Sequence, residues 1–116
     1  MNDYKLEILS GVDYDVTFYW NDSMGMPINT SSFTAYMQIK ENIDSTIIFF
    51  DASPYLITTG EDTTNGAVRL NIPAIATVSL PKLLKGVFDI KLKSATGNVY
   101  LLIDGVAIVK KTVTAI

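Results

Sequence analysis

The sequence predicts an all-β antiparallel β-sandwich of about seven to nine short strands, and three observations predict it. Val, Ile and Thr make up 34 of the 116 residues, and their stiff, branched side chains pack best on a pleated, half-buried surface. Apolar and polar residues alternate with period two in one segment after another. Turn residues punctuate those segments at a spacing of roughly 8–14 residues, and no run suits a long helix. A chain of 116 residues suffices for about one domain around one core, so residues 1–116 are expected to form a single domain.

Each element follows from its pattern. Tyr14–Trp20 sets Tyr14, Val16, Phe18 and Trp20 on one face and Asp15, Thr17 and Tyr19 on the other, which is a strand. Asn21–Pro27 is a tight loop, with Gly25 and Pro27 as its punctuation. Ser32–Lys40 alternates Phe33, Ala35, Met37 and Ile39 against Thr34, Tyr36, Gln38 and Lys40. After Glu41–Ser45, Thr46–Phe50 is apolar on both faces, as in a strand covered on both sides. Tyr55–Thr58 is a further strand candidate, and the polar loop Gly60–Gly66 ends in Asn65-Gly66, a hairpin-type turn signal.

Ala67–Ile72 turns Val68, Leu70 and Ile72 inward and Arg69 and Asn71 outward. Two prolines between Pro73 and Gly86 leave room for one short helical turn near residues 74–80, a crossover that caps one end. Val87–Lys93 points Phe88, Ile90 and Leu92 inward and Asp89, Lys91 and Lys93 outward, and Ala95–Asn98 closes a hairpin. Val99–Ile103 and Val106–Val113 are expected as the last two strands, with Asp104-Gly105 as the turn between them. An immunoglobulin-like sandwich is the first expectation for such a series. With no cysteine, its sheets must be held by residues such as Trp20, Phe18, Met37, Phe88 and Leu101.

Composition narrows the function. The net charge of −3 offers no basic field for nucleic acid. The absence of Cys and His removes disulfides, thiolate nucleophiles, imidazole bases and nearly every zinc or copper site. No Gly-x-Ser-x-Gly motif occurs, so neither catalysis nor a cofactor is expected. The first 15 residues carry no basic stretch followed by an apolar one, and the longest apolar run is Val99–Ile103, so neither a signal peptide nor a membrane span is expected. Asp13, Asp15, Asp22, Asp44, Asp51, Glu61, Asp62 and Asp104 fall in expected loops or on outward faces. Their spacing is that of a solvated surface rather than of an EF-hand loop or a catalytic carboxylate pair.

Two features point to binding. The runs Ile47–Phe50 and Val99–Ile103 are apolar on both faces, although a two-layer sandwich normally leaves one face of each sheet polar. They are either central strands covered by a loop or by the Pro73–Gly86 segment, or a subunit interface, with Ile48, Phe50, Tyr100 and Leu102 as the contact residues. A positive mean hydropathy agrees with apolar surface that meets another chain. Trp20 lies in register with Phe18 and reads as core. Tyr19, Tyr36 and Tyr55 are left as candidates for an exposed ligand-binding patch, a glycan being the class of ligand such rings suit.

Two stretches resemble the small immunoglobulin-like modules of tailed-bacteriophage virions, especially the N-terminal domain of baseplate upper proteins and related tail or head attachment proteins. The first is Phe18–Asn29 followed by Phe33–Lys40, where a strand enters a turn with an acidic-polar start, a Gly and a Pro, then a strand of small, aromatic and apolar residues. The second is Gly66–Ile72, Thr77, Leu80, Gly86–Leu92, Gly97, Val99–Ile103, Gly105 and Val113-Thr114. The resemblance covers about residues 14–114. It implies a non-enzymatic virion protein, assembled in the host cytoplasm, that binds its own kind and neighbouring virion subunits. No segment for a receptor-binding partner or a helical stalk is present, so direct host adsorption is not expected. The competing expectations are a carbohydrate- or surface-binding module, using exposed Tyr and Asp/Asn in the Asn21–Pro27 and Gly60–Gly66 loops, and an accessory protein directed at a host factor.

Overall fold

In the computed structural model, which describes residues 4–60, 64–78, 80 and 84–112, period-two segments become strands of two facing sheets. In chain order these are β1 (Tyr4–Ser10), β2 (Tyr14–Tyr19), β3 (Thr34–Lys40), β4 (Ile48–Asp51), β5 (Leu56–Ile57) and β6 (Ala67–Ile72). A four-residue helix α1 (Ala74–Thr77) precedes β7 (Leu84–Lys93) and β8 (Val99–Lys111). The larger sheet has the order β1-β8-β7-β3-β4 and the smaller the order β2-β6-β5. Read in immunoglobulin lettering, the smaller sheet is B-E-D and the larger carries G-F-C-C′, so the fold is an immunoglobulin-like sandwich.

Alternation works because each strand hides one face. Leu6, Ile8, Met37, Ile39, Leu70, Ile72, Ile90 and Leu92 are at most 1% exposed, each burial contributing about 1.5–3 kcal/mol. The expected core residues Phe18, Met37 and Phe88 are buried, and Trp20 packs edge-on against Phe33 at one end, with ring centroids 5.2 Å apart. Leu101 corrects the expectation, since it is exposed and points away from the core.

Three further corrections concern strands. β1 has no counterpart in the sequence reading, and it pairs with β8 in parallel, from Tyr4 beside Gly105 to Ser10 beside Lys111, so the sandwich is not wholly antiparallel. β8 is one continuous strand through Asp104-Gly105, with no turn there. Gly105 serves close approach instead: a Cβ on it would run into the Tyr4 carbonyl oxygen of the neighbouring strand. The expected end of this strand at Val113 and the Val113-Thr114 part of the resemblance lie outside the described residues, as do Glu61 and Asp62.

The two runs that read as apolar on both faces each contain a β-bulge. In β8, Ile103 faces Ile90 and Leu101 faces Lys91, so Leu102 is an extra residue. In β4, Phe50 faces Ile39 and Ile48 faces Lys40, so Phe49 is extra. A bulge inserts one residue and resets the alternation. Leu102 and Ile103 therefore both pack against the core, as do Phe49 and Phe50.

The short helix lies where the two prolines place it, and it closes the end beside β1. Asp13 accepts a hydrogen bond from the Ala74 amide at 2.8 Å. The buried Thr77 hydroxyl accepts one from the Gly11 amide at 3.0 Å, and the Thr77 carbonyl accepts one from the Ser10 hydroxyl at 2.7 Å.

Candidate functional site

Because β1, β8, β7 and β3 turn alternate residues inward, their remaining side chains form one outer face whose rows follow from the strand register. At one end Val99 lies beside Lys93 and Thr34, and Leu101 beside Lys91 and Tyr36. Tyr36, Leu101 and Val99 are 46%, 53% and 58% exposed. The next row is polar, with Asp104 beside Asp89, then Gln38 and Asp51. Beyond it Lys5, Val106, Val87, Lys40 and Ile48 share a row. Farther still lie Glu7, Ile108 and Lys85, then Leu9 and Lys110. The polar row and the next border an open depression of about 510 Å³ lined by Lys40, Ile43, Val87, Asp89, Asp104 and Val106 among others.

Most of the lysines gather on this outer face, beside Glu7, Asp51, Asp89 and Asp104. Six of the eight lysines, Lys5, Lys40, Lys85, Lys91, Lys93 and Lys110, lie on this face of a chain whose net charge is −3. Among the described residues, ion pairs here are Lys110 with Glu7 at 3.2 Å and Lys91 with Asp89 at 4.0 Å. On the opposite sheet Arg69 makes a two-pronged contact with Asp15, at 2.9 and 2.5 Å. That hydrogen bonding holds the Asp15 carboxyl below the usual carboxylate range. Among the described residues no three acids stand together as a metal site.

Of the four expected contact residues, the structure leaves Ile48 on the outer face, 43% exposed. Phe50 and Leu102 are corrected: both pack against the core, and Phe50 stacks on Tyr55 with ring centroids 6.0 Å apart. Their bulges are the reason. Tyr100 sits over the end of the sandwich, 5.5 Å from the Trp20 ring and 6.1 Å from Phe33. The three tyrosines expected as one ligand patch are dispersed. Tyr19 is exposed on the outer side of the smaller sheet, Tyr36 on the outer side of the larger one, and Tyr55 is partly buried against the core.

Sequence reasoning missed Val99, Leu101 and the placement of Tyr36 beside them. A signal for them exists in the hairpin. Its closing bond from the Ser94 amide to the Asn98 carbonyl sets Lys93 opposite Val99 and Lys91 opposite Leu101, and lysines on an outward face carry their partners outward.

Fold and face together define an immunoglobulin-like domain with a sheet surface of mixed charged and apolar residues. The sequence matches no protein-family model and no curated protein. Among solved structures it is similar to one described as Tim-1, with 8% sequence identity, a TM-score of 0.46, and coverage of 100% of this chain and 97% of that one.

Proposed function

We propose that the chain is a non-enzymatic structural subunit of a bacteriophage particle, in the tail, baseplate, neck or capsid surface, that works by burying the outer face of its larger sheet against neighbouring subunits. The observation that carries the reading is the contiguous Tyr36, Val99 and Leu101 at one end of that face. An outward sheet face is ordinarily polar, and adjoining large apolar side chains on it mark a contact site. The resemblance of residues 14–114 to phage virion modules supports the setting. A homo-oligomer is the first partner, other virion proteins the next.

Light scattering over a wide concentration range tests this reading. A defined oligomer is expected, and Leu101→Glu is expected to reduce it to monomer with the fold intact. A wild-type chain that stays monomeric throughout, or an oligomer that survives Leu101→Glu, refutes it.

A further inference from the structure

The β3–β4 loop, at the other end of the larger sheet from Tyr36 and Val99, has the complementary composition to that end. Ile43 and Ile47 are 85% and 68% exposed, with exposed Glu41 and Asp44 in the same loop. The loop holds its own shape. The Asp44 amide donates to the Asn42 side-chain oxygen at 3.1 Å, the Ser45 amide to the Asn42 carbonyl at 3.1 Å, and the Ile47 amide to the Ser45 hydroxyl at 3.2 Å. The two isoleucines are thus presented by a built turn. Among the described residues neither Glu41 nor Asp44 forms an ion pair, and nor does Lys93 at the other end.

We propose that the apolar end of the outer face is occupied by a second copy of this chain, through that copy's Glu41–Ile47 loop. Ile43 and Ile47 cover Tyr36, Val99 and Leu101, while Glu41 and Asp44 meet Lys91 and Lys93. Charge complementarity selects this occupant: stacking the lysine-bearing end on its own equivalent would oppose like charges. Giver and receiver lie toward opposite ends of β3, which spans about 20 Å at a rise of about 3.4 Å per residue, and Ile43 and Lys91 line the depression between them. Each copy therefore gives and receives, and the contact is the head-to-tail kind, which yields a defined oligomer by closing into a ring. The inference rests on the reading of this face as an interface and specifies what it binds.

Charge reversal tests it by light scattering at matched concentrations. Glu41→Lys with Asp44→Lys, and separately Lys91→Glu with Lys93→Glu, are each expected to weaken self-association about tenfold or more. An equimolar mixture of the two variants is expected to recover it. Ile43→Ser, which changes no charge, is expected to weaken it as well. All five positions are exposed, and far-ultraviolet circular dichroism checks that each variant is folded. Unchanged association in the loop variants, or no recovery on mixing, overturns the inference. An oligomer lost in Leu101→Glu but kept in the loop variants overturns this inference alone and leaves the interface reading standing. A monomeric wild-type chain overturns both.

Discussion

Leu101 and Leu102 are identical neighbours with opposite surroundings, and truncating each in turn tests the β8 bulge. Leu102 packs against both buried clusters. Burial is partial, so Leu102→Ala belongs at the low end of the range for core leucines, a loss of about 2 kcal/mol. Leu101→Ala removes a side chain that is more than half exposed on the outer face, and its cost stays within about 0.5 kcal/mol. For a chain of this size about 1 kcal/mol moves Tm by roughly 4 °C, so the two variants differ by about 6 °C. Thermal unfolding followed by the emission of Trp20, the one tryptophan in the chain, measures both at a dilution where association is absent. Equal losses, or a larger loss at Leu101, would show that Leu102 is not the extra residue and would remove the explanation of the Val99–Ile103 run.

Other outcomes follow from single contacts. Gly105→Val pushes a side chain into the Tyr4 backbone and is expected to cost about 1–3 kcal/mol; hydrogen exchange should quicken selectively in β1, and uniform exchange would refute the close approach. Thr77→Val leaves the Gly11 amide without its acceptor and is expected to lower stability by about 1–2 kcal/mol in thermal unfolding. Burial first, and then Tyr4, pushes the Tyr14 phenol from 10.0 up to about 12. Between those values the unfolded chain releases this proton while the folded chain keeps it, so stability is full below pH 10 and falls as pH rises toward 12. Tyr14→Phe should remove that part of the slope in urea midpoints measured at pH 9.5 and 11, and identical slopes would refute the shielding.

Alternation located β2, β3, β6 and β7 to within a few residues because each hides one face and wets the other. It failed where a bulge resets the count. Ile48 and Phe50 share a parity in sequence but not a face in space, since Phe49 is inserted between their register partners. The same insertion at Leu102 left Tyr100 and Leu102 looking like an exposed pair. Asp104-Gly105 reads as a turn because that dipeptide suits one, whereas its glycine answers to Tyr4, on a strand at the other end of the chain. β1 alternates legibly, with Leu6 and Ile8 against Lys5 and Glu7, yet nothing local to seven residues names a parallel partner at the far end of the chain. The apolar end of the face was half legible: its lysines were placed outward, and the hairpin register carries Val99 and Leu101 with them.

The first and last strands form a lap joint. They lie side by side in the same direction over seven paired positions, so Tyr4 and Thr112 sit at opposite ends of an overlap about 20 Å long. Tension between those two points drags the strands lengthwise past one another. All the hydrogen bonds of the overlap then share the load at once, where a pair opened from one end would break them singly. Resistance to stretching is therefore set by this overlap rather than by the depth of the core, and shortening β1 would weaken it in proportion to the pairs removed.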